Sequence, residues 1–321
     1  MKIFFDPADV PADFGSSVVA IGKFDGVHSG HRAVIDRARV TATESDASVV
    51  AVTFDRNPLS LLRPEACPEN LVSVHQKIAL LADSGVDAAL VLRFDEALAS
   101  LTAREFVQLV LVDALRAVCV MVGDDFRFGR GGSGTPAVLV ELGSEFGFDV
   151  EVVGDVQGGG RRVSSTWVRE LLAAGHVEDA ARLLGRPHAV RGEIVHGLKR
   201  GRELGYPTAN LAREVEGFVP ADGVYAGWLI DEGSDDDPLA SATRYPAAIS
   251  IGTNPTFDDV TVRQIEAYVL DETDLDLYGH TVQVQITHRI RGMVKFEGID
   301  ALIETMTDDV AAVRAALRDG R

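Results

Sequence analysis

The residues of this chain best placed to do chemistry are two histidines three apart, His28 and His31, in the stretch GKFDGVHSGH. An apolar β-branched run, SVVAIG (17–22), precedes them, and the pattern predicts a helix starting near Ser29. One helical turn separates the two rings, so both can donate hydrogen bonds to a single phosphate. Gly22 and Gly26 permit a tight turn after the strand, and the free N–H groups that open a helix favour an anion beside them. No Gly-Lys-Ser/Thr follows, so this is not a loop that holds terminal phosphates with a lysine. The chemistry that fits is stabilisation of charge on an α-phosphate during nucleotidyl transfer. By themselves two such histidines serve equally well as helix caps or surface residues; the turn around them favours the phosphate.

Two further stretches of the first half belong with that chemistry. In VSSTWVRE (163–170), Ser164, Ser165 and Thr166 stand at a helix start with Arg169 one turn inside, able to clamp the phosphates of a leaving pyrophosphate. Alone, that stretch is an N-cap followed by a surface arginine. VGDDFRFGRGGSG (122–134) follows a strand with a loop too glycine-rich for a mere connection, which makes Asp125 and Phe128 candidates for ligand contact. Asp124 and Asp125 fit a solvated turn equally well.

The second half offers different chemistry. VHGLKRGRELGYPTANL (195–211) carries Gly197, Gly201 and Gly205 with Lys199, Arg200 and Arg202, a flap suited to covering polyphosphate. The Thr208 hydroxyl and Asn210 carbonyl are neutral oxygen ligands, which suits Mg²⁺ held mostly by water and nucleotide phosphates. In QIEAYVLD (264–271), Glu266 is a carboxylate able to take a proton from an attacking hydroxyl, although a lone strand glutamate more often faces solvent.

These residues need scaffolds, and the pattern supplies two. Short β-branched runs at 17–22, 47–54, 88–94, 117–123 and 148–154 alternate with amphipathic segments at 31–45, 74–84 and 102–115, the last opened by a Thr102/Glu105 capping box. That rhythm predicts an α/β domain with a parallel sheet, whose ligands bind beyond the carboxyl ends of its strands. After two short helices ending at Gly185 and Pro187 the texture changes to strands joined by turns: AVRGEIVH, GVYAGWLI, YPAAISIG, QIEAYVLD and TVQVQITHRI. An antiparallel β-barrel follows, with a final helix over about Ile299 to Leu317. The expected domains are 1–186 and 187–321. The acidic DEGSDDDP (231–238) reads as a solvated hairpin loop, and no internal repeat is present.

Composition narrows the classes. The chain has 321 residues, enough for two domains, and its 46 % hydrophobic and 25 % charged content suits well-cored folding. With 31 basic and 49 acidic residues and a net charge of −18, nothing steers it toward nucleic acid or an anionic membrane. Cys67 and Cys119, far apart, suggest neither a disulfide framework nor a zinc site, and a reducing cytoplasm is the expected compartment. MKIFFDPADVP does not read as a signal peptide, and no run reaches the roughly 18 apolar residues of a membrane span.

Taken in order, GKFDGVHSGH, VTFD with Pro58, HQKIALLADSGVDAALVLRFDEALASLTAREFV, VGDDFRFG and VSSTWVRE resemble the nucleotidyltransferase half of the bacterial bifunctional riboflavin kinase/FAD synthetase family. GRELGYPTANL, Glu266 with LYG (277–279), IGTNPTF (251–257) and IRGMVKFEGIDAL (290–302) resemble its kinase half. The resemblance implies a Rossmann-like HxGH-type adenylyltransferase domain followed by a riboflavin kinase barrel. It implies ATP and Mg²⁺, with riboflavin, FMN, FAD, ADP and pyrophosphate as substrates and products. Nucleotide contacts then fall to Gly22, Phe24, Asp25, Gly26, Ser164, Ser165, Thr166, Gly197, Arg202, Gly205 and Tyr278. Flavin contacts fall to Asn57, Asp125, Phe128, Asn254, Arg291 and Phe296, and metal ligation to Thr208 and Asn210. Glu266 is implied as the kinase base, and His28, His31 and Arg169 as the groups of adenylyl transfer.

Several positions depart from the family pattern. Lys23 stands where Asn is usual, Arg56 and Asn57 where Pro and His are usual, and Asp124-Asp125 where a Glu or His precedes Asn or Asp. RGMVKF replaces an Arg-Pro-Glu-Lys run but keeps Arg291 and Phe296. The departures leave two alternatives open at this point: a kinase whose first domain only binds, and a flavin-binding regulator without catalysis. A tRNA-acting enzyme, suggested by the HxGH element alone, conflicts with the net charge. The sequence leaves self-association open.

Overall fold

The structure, a computed structural model, describes residues 1–197, 206–233, 242–253, 263–272 and 275–319. The chain divides into two compact units, Met1–Ser165 and Thr166–Arg321.

In the first unit six parallel strands form one sheet in the order β1-β4-β3-β2-β5-β6: β1 (Lys2–Phe4), β2 (Ser17–Ile21), β3 (Ser48–Phe54), β4 (Ala88–Leu92), β5 (Ala117–Gly123) and β6 (Asp149–Val153). Five of these match the runs expected from sequence; β1, three residues long, adds an edge through its register with Ala88 to Leu90. The central strand is apolar on both sides because both faces are covered. Along β2, Val19 and Ile21 enter one core cluster while Val18 and Ala20 enter the other, with Ile35, Ala38 and Ala42 of helix Ser29–Ser45. Neighbours of β2 are β3 on one side and β5 on the other, so the order of strands reverses there. A crevice at that point is where an open parallel sheet receives its ligand.

The segment expected to be helical over 102–115 keeps its capping box, with Glu105 N donating to Thr102 Oγ1 and Thr102 N donating to Glu105 Oε2. Past Phe106, however, the turns widen to a π-helix over Val107–Ala114. Capping chemistry fixes where a helix begins, not the register of its later turns. The glycine-rich 156–162 region forms a small hairpin of β7 (Gln157–Gly158) and β8 (Arg161–Arg162).

In the second unit six strands close an antiparallel barrel: β9 (His188–Val195), β10 (Thr208–Leu211), β11 (Gly223–Asp231), β12 (Thr243–Gly252), β13 (Gln264–Val269) and β14 (Thr281–Arg291). Closure runs β10-β13-β12-β11-β14-β9, so the short TANL segment is the strand that joins β9 to β13. Helix Ile299–Asp319 covers one face through Val313 and Leu317, packed with Ala226 and Leu270.

From Thr166 onward the two short helices, Ser165–Ala174 and Val177–Leu184, also belong to this unit. Their polar contacts explain the grouping: Ala221 N donates to Leu172 O, Arg289 Nη1 to Ala174 O, and Arg289 N to Glu178 Oε1. The sequence pattern, which places both helices before a boundary at 186, does not register those bonds. Of the stretches singled out in the sequence, Lys199, Arg200, Gly201, Arg202, Gly205, Asn254 and most of the acidic loop lie outside the described residues.

Candidate active sites

The turn after β2 is built against its own backbone preferences. Phe24 and Val27 both adopt left-handed conformations, with φ of 49° and 39°. Side chains of that size favour other regions, and such outliers persist only where the surroundings over-determine them. Here Phe24 and Val27 are fully buried. Polar bonds hold the same turn: Thr53 Oγ1 donates to Lys23 O at 3.1 Å, Leu71 N to Asp25 Oδ1 at 2.8 Å, and Ser165 Oγ to Asp25 O at 2.8 Å. Gly26, at φ 82°, supplies the further left-handed step that a side chain would resist.

The turn delivers the histidines. His28 is the N-cap of helix Ser29–Ser45, its Nδ1 accepting from His31 N at 3.4 Å. Neutral His28 therefore carries its proton on Nε2. The two rings stack at 3.7 Å between centroids with 16° between planes, and Phe24 lies edge-on to His31 at 5.2 Å. The His31 Nδ1 is shut off from solvent and has no hydrogen-bond partner. Burial holds the His31 pKa well below the ordinary imidazole value, with the charges of His28, Lys77 and Arg162 acting in the same direction. His31 is thus a neutral imidazole with hydrogen-bonding capacity to spare.

Lys77, on helix Val74–Asp83, is a buried ammonium that sequence reasoning missed. Its Nζ donates to Phe54 O at 2.8 Å and sits 3.4 Å from Thr53 Oγ1. Burial lowers its pKa to about 8, against the opposing pull of Asp25 and Asp55. A small polar pocket beside the turn is lined by Lys77, Lys23, Asp25, Asp55, Asn57 and others. Asn57 is also a local turn-former, since its Oδ1 accepts from Leu59 N.

The structure brings some of the other expected residues to the end of β5 and engages them in packing. Asp125 pairs with Arg162 at 2.9 Å, and Arg162 also holds Asp155. Phe128 is buried, stacked on Phe126 at 5.3 Å and tilted on Phe106 at 5.7 Å. Gly22 bonds through its N–H to Val52 O, and the Phe24 ring lies over it. Thr166 and Arg169 follow Ser165 in the first turns of helix Ser165–Ala174.

In the barrel, β10 and β13 run side by side so that Asn210 is opposite Glu266 and Thr208 opposite Tyr268. The Asn210 Nδ2 donates to Thr208 O at 3.1 Å and lies 3.3 Å from Thr208 Oγ1. Asn210 packs so closely on Gly197 that a Cβ there would come within 2.5 Å of the amide. The pair offers a hydroxyl and an amide oxygen, and no cluster of three or more His, Cys, Asp or Glu able to hold a metal occurs among the described residues. Neutral oxygens in that number fit a hard cation held mainly by phosphates and water.

Two pockets flank Thr208. One is lined by Thr208, Glu266, Arg291 and Phe296 together with Tyr206, Tyr268 and apolar residues of the C-terminal helix. The other is lined by Thr208, Ile194, Pro207 and Tyr278, whose ring packs on His196 at 3.8 Å. Glu266 is partly buried, and desolvation raises its carboxyl pKa. Arg291 lies over the Phe296 ring at 5.6 Å and makes a bidentate pair with Asp309, Nε donating to Oδ1 and Nη2 to Oδ2. Asp309 and Tyr206 are wall residues that the sequence reading passed over.

Comparison with known proteins matches each half separately. The FAD synthetase family profile matches residues 10–167, and the Riboflavin kinase profile matches residues 184–317. A bifunctional riboflavin kinase/FMN adenylyltransferase from Escherichia coli (strain K12) is 38 % identical over 299 residues, spanning 92 % of this chain and 91 % of the relative. One from Pseudomonas fluorescens is 38 % identical over 298 residues, spanning 93 % and 92 %. Among solved structures, one from Streptococcus pneumoniae titled as a macrolide-efflux protein covers 97 % of this chain and 98 % of its own, with a TM-score of 0.82 and 31 % identity. Among the described residues of the present chain no helix is long and apolar enough to cross a membrane.

Proposed function

Because the chain belongs to the bifunctional riboflavin kinase/FMN adenylyltransferase family, we propose that it phosphorylates riboflavin with ATP to FMN and then adenylylates FMN with a second ATP to FAD. The observation that carries this reading is that both halves are matched in one chain, each over a unit of the expected architecture.

In the barrel the ribityl 5′-hydroxyl of riboflavin attacks the γ-phosphate of ATP, giving FMN and ADP. A hydroxyl is a poor nucleophile until its proton leaves, and Glu266 is the base that takes it. Desolvation raises the carboxyl pKa, which makes the carboxylate a better proton acceptor than an exposed one. Phe296 and Arg291 suit a flat heterocycle by stacking and hydrogen bonding. Thr208 and Asn210 would hold Mg²⁺, which when bound neutralises phosphate charge. Tyr278, which lines the second pocket beside Thr208, is the candidate nucleotide contact.

In the first unit the FMN phosphate attacks the α-phosphate of ATP and pyrophosphate leaves. The nucleophile is already an anion, so no base is required. His28 through Nε2–H and His31 as a neutral imidazole donate to the α-phosphate oxygens as charge builds there. Ser164 and Ser165, at the end of this unit, are its candidates to hold the departing pyrophosphate. Asn57 and Asp125 are the flavin-facing candidates, Asp125 exchanging Arg162 for the ligand, while Phe128, packed on Phe106 and Phe126, backs the loop that carries Asp125. We read the protein as cytoplasmic.

The test is chromatography of flavins over time after mixing the protein with riboflavin, ATP and Mg²⁺. FMN followed by FAD is the expected course. FMN alone would reduce the first unit to a binding module, with the departures at Lys23, Asn57 and Asp125 as its cause. Flavin retained with no ATP consumed would overturn both activities.

A further inference from the structure

The C-terminal helix Ile299–Asp319 contributes more than cover to the barrel. Arg291, the last residue of β14, directs Nε to both oxygens of Asp309 at 2.9 and 3.1 Å and Nη2 to Oδ2 at 2.7 Å, while Nη1 donates to Gly292 O at 3.0 Å. Asp309 is only 8 % exposed and the Arg291 side chain 23 %, so this is a largely buried ion pair rather than a surface one. Both partners line the pocket that holds Glu266, Thr208 and Phe296. The same helix lends Leu302, Met306 and Val310 to that wall, and its Thr307 Oγ1 lies 2.9 Å from the Tyr206 hydroxyl at the pocket's edge.

A clamp between helix and barrel does not need such a pair. Val313 and Leu317 already bury the helix against Ala226 and Leu270, and apolar contacts hold helices as well as buried ion pairs do or better. A bidentate carboxylate supplies something an apolar contact does not: it fixes the plane of a guanidinium. Released from Asp309, Arg291 would gain rotamers and lose its fixed position over the Phe296 ring.

We propose that Asp309 is a positioning residue of the riboflavin pocket, setting the plane of the Arg291 guanidinium over Phe296 before flavin enters. The inference rests on the reading that Arg291 and Phe296 face the flavin of the kinase reaction. It makes the C-terminal helix part of the kinase site.

The test uses the full chain and measures riboflavin KM, ATP KM and kcat for FMN formation, with FAD formation from supplied FMN as an internal reference for intact protein. Asp309→Asn keeps the shape and removes the charge that orders the guanidinium. Its riboflavin KM should rise about tenfold, the equivalent of one charge-assisted hydrogen bond. ATP KM, kcat and FAD formation should stay within about threefold of the parent, a difference worth less than one neutral hydrogen bond. A purely structural clamp would instead lower kcat for FMN formation and the melting temperature without singling out riboflavin, and that result overturns the proposal. Should Asp309→Asn not fold, Arg291→Lys is measured, because a single ammonium keeps the charge pair but cannot be held in a plane. An unchanged riboflavin KM in Arg291→Lys overturns the proposal. Arg291→Ala separates the two layers of the argument. A raised riboflavin KM there with an unchanged one in Asp309→Asn removes the positioning role alone, while an unchanged KM in Arg291→Ala removes the flavin reading on which it rests.

Discussion

In the proposed reactions the two units handle phosphate in opposite ways, and the difference follows from the state of each nucleophile. The first attacks with a phosphate already ionised, and its turn offers donors: His28, and His31 whose imidazole burial keeps neutral. The second attacks with a hydroxyl, and its barrel offers an acceptor, Glu266, with a raised carboxyl pKa. Burial does the electrostatic work in both places. It strips charge from an imidazole in one and raises the proton affinity of a carboxylate in the other.

The most direct way to break that contrast is to remove the acceptor. Glu266→Gln should lower FMN formation roughly 10²- to 10⁴-fold, the range of a lost general base, with FAD formation from supplied FMN unchanged. Loss of both activities in a folded variant would mean that the units do not divide the work. Removing a donor should have a smaller and opposite effect: His31→Ala should slow FAD formation from FMN roughly 10²- to 10³-fold and spare the kinase. A fully active variant would make the histidine pair a cap and nothing more.

Titration sharpens the same comparison. Glu266 must be ionised to accept a proton, so kinase activity is lost as pH falls through its raised pKa, and the acid limb of kcat/KM should lie above the ordinary glutamate value of 4.5. Arg291, which lines the same pocket, is already neutralised by Asp309, so it does little to pull that limb back down. His31 has the reverse sign: its pKa lies well below 6.5, so adenylyl transfer should show no titration of His31 between pH 6 and 8. A limb near 6.5 that vanished in His31→Ala would show an imidazole exposed to water in the working enzyme.

A fourth measurement concerns stability alone. His188, at the start of β9, is fully buried with Nε2 2.6 Å from Phe218 O, and desolvation lowers its pKa to about 4. The folded barrel therefore prefers the neutral ring, and the stability this provides is intact above the unfolded value near 6.5 and is lost as pH falls toward 4. Urea unfolding should show the barrel weaker by about 2 kcal/mol at pH 5 than at pH 7, and His188→Gln should flatten that dependence.

Much of the architecture was legible because it rests on local rules. Alternating β-branched runs marked the parallel strands, and the glycines and histidines of GKFDGVHSGH marked the end of β2. The Thr208–Leu211 segment was read for its ligand atoms, yet its backbone closes the barrel, a role that depends on partners far along the chain. Lys77 and Asp309 were invisible for a related reason. A lysine or aspartate on an amphipathic helix looks like any solvated one, and only the fold places Lys77 against Phe54 O and Asp309 against Arg291. Likewise, helices Ser165–Ala174 and Val177–Leu184 carry no sequence mark of the bonds that Arg289 makes to them.

The left-handed residues Phe24 and Val27 have a consequence for how the first unit breathes. Each conformation costs roughly 1–2 kcal/mol, and the sheet beneath carries no such burden, so the segment that presents the histidines should open locally at a lower free energy than the strands it joins. Amide hydrogen exchange should therefore be faster from Lys23 to His31 than along β2 and β3. Nucleotide binding should slow it more there than anywhere else in the unit, since a ligand that bonds both histidines holds the spring closed.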